Sequence, residues 1–261
     1  MNNIFDTNDL YPGYDDHLKA YFNRYFDSVF ICFSPFFQID SDSKQDRSLH
    51  HSRIVSLEEL QATNDIFKKL QPSDQRVIYS SNNVKYPDTD EIIDKGKPVQ
   101  WQYIKHQGQF NSYTEINLAL RTSIGALRKE FERTDLQQKL DKVSDDYFIY
   151  NPTEGRINQL SLIQIYQCLK ALNKVELVVT DEFFENRKTI NLNTLSCPQF
   201  VNAAYRYMYY FPVDRSLLFT VEWDSFFYLI GGDRTLLDGL IAKFGFEGFY
   251  ASDETYHDWD F

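Results

Sequence analysis

Six short runs rich in Val, Ile, Phe and Tyr (SVFICF, RVIYS, DYFIYN, KVELVVT, RSLLFTVEW and FEGFYA) alternate irregularly with segments that carry their own helix-start signals. That alternation limits the possible folds more than any other feature of the chain. Such runs suit pleated, half-buried strands. Without steady β–α–β repetition, they point to an α+β class, with a mixed β-sheet packed by several amphipathic helices, and not to a doubly wound fold.

The helix signals are local and physical. SLEELQATNDIFKKLQP places Ser56 and Glu59 at capping-box spacing, with Pro72 after its end. SYTEINLALRTSIGALRKEF repeats the device with Ser112 and Glu115. Its apolar residues Tyr113, Ile116, Leu120, Ile124, Leu127 and Phe131 step by three or four, which predicts one buried face running from Ser112 to about Phe131. DLQQKLDKV continues as helix after a break near Thr134. NQLSLIQIYQCLKALNK is apolar nearly all round and reads as a buried helix capped by Asn158. SCPQFVNAAYRYMYYF reads as one helix from the Ser196/Gln199 box, with Pro198 in its first turn. DRTLLDGLIAKFG reads as a helix closed by Gly245. The polar stretches DSDSKQDRSLHHSR and SSNNVKYPDTDEIIDKGKP read as loops. They would bound an N-terminal subdomain over residues 1–100, but the aromatic segments on both sides favour a single compact domain over 1–261.

Composition sets further limits. With 43% hydrophobic and 25% charged residues, the chain has the balance of an ordinary globular protein. Apolar runs fall short of the roughly 20 residues that span a bilayer. The start, MNNIFDTNDLYPGYDD, lacks the basic and apolar regions of a signal peptide. The expectation is a cytosolic protein with no membrane partner. Cys32, Cys168 and Cys197 are scattered and form no CxxC pair, which argues for free thiols and against a zinc module. A net charge of −11 opposes nucleic-acid binding, where Lys and Arg must neutralise phosphates. The acidity is concentrated in both ends of the chain. It serves solubility in the plainer reading, and steering toward a basic protein partner in the sharper one.

No P-loop, Rossmann glycine fingerprint, GxSxG elbow or HExxH helix is present. Gly231 and Gly232 read as a turn between two short helices. Two stretches crowd carboxylates beside tryptophan. In TVEWDSFFYLI, Asp224 or Ser225 reads as the cap of a short helix SFFYLI, or else Asp224 shares a strand face with Glu222 while Trp223 faces away. Glu222 near an apolar strand end needs solvent or a partner, with Arg215, Arg206 and His257 as candidates. In the tail, His257 lies among Asp253, Glu254, Asp258 and Asp260. That set suits a divalent metal or general acid/base work, with His257, Asp258 and Asp253 as the metal candidates. Tyr256, Trp259 and Phe261 suggest instead a terminal strap docked on the core near Trp223, its acids facing water. His17, His50, His51 and His106 read as structural or solvated side chains.

The block VEWDSFFYLI, the later EGF and the late TYHDW together resemble the C-terminal pattern of an uncharacterised protein family of Bacillus and related Gram-positive bacteria. The resemblance covers roughly the last fifty residues and implies no activity. By analogy of class alone, small acidic, aromatic-rich cytosolic α+β proteins include immunity proteins that neutralise bacterial toxins. The leading expectation is a non-enzymatic binding protein without cofactor, of which an immunity-type inhibitor is one form, with Trp223, Tyr256 and Trp259 as interaction residues. The alternative is a metal-dependent or acid/base hydrolase-like enzyme using Glu222, Asp224 and His257.

Overall fold

The computed structural model describes residues 5, 10–13, 15–39, 52–54, 79–81 and 86–257. The helix expected over 56–72, the residues His50 and His51, and Asp258, Trp259, Asp260 and Phe261 lie outside the described residues. In chain order the elements begin with α1 (Leu18–Phe22), β1 (Ser28–Phe33), β2 (Phe36–Ile39), β3 (Ser52–Ile54) and β4 (Tyr79–Ser81). Next come α2 (Thr89–Lys95), β5 (Gly96–Val99), α3 (Trp101–Gly108), α4 (Tyr113–Ser123), α5 (Thr134–Tyr147) and α6 (Gln159–Ala171). The second half contains β6 (Glu176–Thr180), β7 (Lys188–Asn191), α7 (Cys197–Ala204), β8 (Tyr209–Pro212), β9 (Leu217–Thr220), β10 (Phe227–Gly232), α8 (Arg234–Phe244) and β11 (Gly248–Tyr250).

Seven strands form the main sheet in the order β11-β1-β10-β9-β8-β6-β7. The α+β class expected from the sequence holds. Where a mixed sheet was expected, every described pairing in this sheet is antiparallel. The short turns joining β6 to β7 and β8 to β9 to β10 reverse the chain directly and need no crossover helix. Strands β8, β9 and β10 are buried at every position, so both faces of the central sheet are covered. One hydrophobic cluster takes members from Phe5 to Phe246, with Trp101, Tyr210, Tyr228 and Phe219 among its fully buried rings. Cys32, Cys168 and Cys197 are free thiols, and burial pushes the Cys168 thiol up to about 12. No helix among the described residues is long and apolar enough to cross a membrane.

Several local expectations are corrected. The helix opened by Ser112, whose hydroxyl accepts the Glu115 N–H, stops at Ser123, and Gly125 (φ +68°) follows in the left-handed region. Ile116 and Leu120 are fully buried, but Ile124 and Phe131 are exposed, because the chain leaves the helical path before reaching them. SCPQFVNAAYRYMYYF divides into α7 and the buried strand β8. SFFYLI is the body of β10 and not a helix, so Asp224 caps nothing. It sits in the β9–β10 turn at φ 55°, a conformation that aspartate tolerates better than most residues. Gly231 and Gly232 belong to β10 instead of a turn between helices. A Cβ on Gly231 would stand 2.5 Å from the Phe26 ring, so the absent side chain is what lets that ring lie on the strand. DYFIYN is the end of α5 followed by Phe148 in a left-handed cap, and Tyr150 alone pairs with Phe37 of β2. The residues from Trp101 to Gly108 form α3, and DTDEIIDK, expected as loop, is α2 capped by Asp88.

Candidate functional site

Strands β1 and β10 pair from Ser28↔Gly232 at one end to Phe33↔Phe227 at the other. The turn holding Glu222, Trp223 and Asp224 therefore emerges at the Phe33 end. Strand β11 pairs Gly248 with Cys32 and Tyr250 with Phe30, so the chain beyond it leaves at the Ser28 end. The two ends of a six-residue strand stand on the order of 17 Å apart. The tail is docked there. Ala251 N–H donates to Val29 O (2.9 Å), Thr255 O accepts the Leu18 N–H (2.9 Å), and Tyr256 pairs with His17, their rings 4.0 Å apart. His257 is buried edge-on to Tyr11 at 5.2 Å, and Asp253 is an exposed ion partner of Lys19 at 2.8 Å. Glu222 and Asp224 are thus brought together, while His257 is placed with α1. Among the described residues no group of three or more His, Cys, Asp or Glu side chains is placed to hold a metal ion.

The β9–β10 turn forms one lip of a cleft of about 360 Å³. The turn is pinned from both sides: Val221 N–H donates to Met208 O (3.2 Å), and Gly155 N–H donates to Ser225 O (2.9 Å). Gly155 holds φ +58°, a conformation that favours glycine, which brings the 154–156 loop against the turn. Held this way, Trp223 stays 55% exposed. The opposite lip is the loop after β6. Its Asp181 carboxylate accepts the N–H groups of Glu185 (2.9 Å) and Asn186 (3.2 Å) together with the Asn186 side-chain amide. Phe184 stacks on Tyr209 at 5.0 Å and anchors the loop, which leaves its neighbour Phe183 68% exposed.

The cleft is acidic, since Glu154, Asp181, Glu182 and Asp224 line it against two cations, Arg156 and Arg206. The Arg156 guanidinium lies over the Tyr205 ring at 5.8 Å, and Arg206 donates to the Tyr207 hydroxyl at 2.9 Å. Burial, with Asp224 and Glu182 close by, raises the Glu222 carboxyl above the ordinary glutamate range, although the Trp223 N–H bond opposes the shift. Burial and then Asp224 raise Glu154 in the same way. Burial also works against the Asp181 carboxylate, but its hydrogen bonds from Asn186 and Glu185 outweigh that and hold it below its ordinary value. One Glu182 oxygen is buried without a hydrogen-bond partner among the described residues. A carboxylate oxygen left in that state is costly until a donor reaches it.

Of the interaction residues expected from sequence, Trp223 is at the cleft, whereas Tyr256 is 44% exposed and packed at a tilt against His17 at the far end of the sheet. Phe183, Glu154, Asp181, Glu182 and Arg156 were not expected, and Arg206 was named only as a candidate partner of Glu222. A usable signal was present in DEFFEN, an aromatic pair between acids directly after an apolar strand.

Comparisons with known proteins add a family. A family described as a protein of unknown function (DUF2711) matches residues 14–261. An uncharacterized protein of Bacillus subtilis (strain 168), YwbB, is 27% identical over 175 residues, covering 67% of this chain and 77% of that protein. No solved structure matches.

Proposed function

The chain belongs to the DUF2711 family, the uncharacterised Bacillus-type family that its C-terminal pattern resembles, and we propose that it acts by binding a basic segment of a partner protein in the cleft between Trp223 and Phe183. The observation that carries this reading is the pair of exposed aromatics, 55% and 68% accessible, on opposite lips of a cleft whose carboxylates outnumber its guanidinia. Aromatic side chains supply large contact area at small entropic cost, and Lys or Arg heads are attracted to ring faces. The raised carboxyls of Glu222 and Glu154 would be relieved by an incoming cation, which would also give the buried Glu182 oxygen its donor. The overall charge of −11 would steer such a partner. A cytosolic inhibitor of the immunity type, covering a basic surface of a toxin, is one form this takes.

A peptide-display selection on the intact chain tests the reading. Selected sequences should be enriched in Lys and Arg and should be lost when Trp223→Ala replaces wild type. Acidic or neutral sequences, or selections indifferent to Trp223, would overturn it. A second reading rests on the raised Glu222 carboxyl, which suits a general acid with Asp224 as its neighbour. That hydrolase-like alternative does without His257, which lies at the other end of the sheet. It requires Glu222→Gln to abolish turnover of a substrate while leaving binding intact.

A further inference from the structure

A second cleft, of about 490 Å³, opens where the end of β1, the β2–β5 pair, the first turn of α3 and the link from α8 to β11 meet. Its size falls within the roughly 300–1,000 Å³ of small-molecule sites. Its polar side chains are held in place by backbone groups. Gln38 Nε2 donates to Tyr147 O at 2.6 Å, and Gln164 Nε2 donates to Phe244 O at 3.1 Å. Tying down each amide nitrogen leaves each amide oxygen as a fixed acceptor. Glu247 accepts the Trp101 and Gln102 N–H groups at 2.7 and 2.8 Å, which fixes its carboxylate as well. Gln100 and Tyr103 are exposed on the rim, adding an amide and an aromatic ring with a hydroxyl, the ring packed edge-to-face with Tyr147.

The lining selects among ligand classes. None of the described residues lining the cleft is Lys or Arg, and Glu247 repels negative charge, so phosphorylated or carboxylated ligands are disfavoured. Extended peptides find a poor ladder in β5, because Pro98 offers no N–H. What the lining offers is fixed acceptors, the Gln100 amide and the apolar surfaces of Tyr103 and Pro98. This chemistry matches a neutral molecule with many hydroxyls and one apolar face. We propose that this cleft binds a neutral saccharide of one or two sugar units, whose C–H face packs on Tyr103 and whose hydroxyls bond Gln38, Gln100, Gln164 and Glu247.

Saturation-transfer NMR on the intact chain provides the test, with glucose, maltose and N,N′-diacetylchitobiose as probes and glucose 6-phosphate and a proline-rich peptide as competitors in class. At least one neutral sugar should show saturable transfer to its ring protons. Its affinity should fall about tenfold or more in both Tyr103→Ala and Gln100→Ala, as expected for an anchoring contact, and should be unchanged in Trp223→Ala. Both substituted side chains are on the exposed rim, and melting curves verify that each variant folds. Absence of transfer to all three neutral sugars, an affinity unchanged from wild type in both rim variants, or a preference for glucose 6-phosphate or the peptide would overturn the proposal. Because Trp223 lines only the first cleft, failure here is distinguishable from failure of the basic-partner reading.

Discussion

At Asp141, on α5, burial and then the neighbouring Asp145 raise the carboxyl from 3.8 to about 6. The sign follows from linkage: a folded-state value above the unfolded one means the native state binds the proton more tightly. The stability this confers is full below about 3.8 and is lost as pH rises through about 6. Asp141→Asn should therefore raise the urea midpoint at pH 7, and the gain should vanish near pH 4. A gain that is the same at both pH values would contradict the assignment. Leu120 and Phe131, both expected on one helical face, have opposite surroundings, at 0% and 55% exposure. Leu120→Ala should cost about 2–5 kcal/mol in chemical denaturation. Phe131→Ala should stay within about 0.5 kcal/mol of wild type, as exposed substitutions usually do. Equal losses would restore the longer helix.

At the scale of elements, legibility depended on where each element's stabilising partner lies. Helices α4, α6, α7 and α8 carry their caps next door, in Ser112, Asn158, Ser196 and Asp233, and could be read from spacing alone. Helix α3 has no side-chain cap of its own. Its first N–H groups are met by Glu247, about 145 residues further along the chain, so no local pattern announces it. Strands β8 and β10 are buried on both faces and lack the period-two alternation that marks a half-exposed strand, so their apolar runs could pass for helix. The candidate cleft shows the same division: Trp223, Glu222 and Asp224 stood out as neighbours in sequence, whereas Phe183 and Arg206 meet them through the sheet order and Arg156 through the Gly155 bond to Ser225. The remote cap gives a test. Glu247→Ala should cost about 1–2 kcal/mol, in the range of lost helix caps, and should speed hydrogen exchange at the Trp101 and Gln102 amides. Unchanged exchange at those two amides would show that the helix does not depend on the carboxylate.

Across the whole molecule, the antiparallel sheet separates two polar regions that the sequence left undivided. The tail and His257 close over α1 at the Ser28 end, and the acid-rich aromatic cleft opens at the Phe33 end. A protein of net charge −11 with such a cleft is expected to bind its partner with strong salt dependence, because exposed charges are screened over roughly 10 Å at 0.1 M salt. The most direct measurement of that claim is isothermal titration of the intact chain with a lysine- and arginine-rich peptide at low and high salt, alongside an acidic peptide of equal length. The account predicts saturable binding of the basic peptide alone, weakening as salt rises. It also predicts a loss of about tenfold or more in affinity in Trp223→Ala and in the double variant Glu154→Gln, Asp224→Asn, as for central interface residues. Equal binding of the acidic peptide, or an affinity indifferent to both variants, would contradict it.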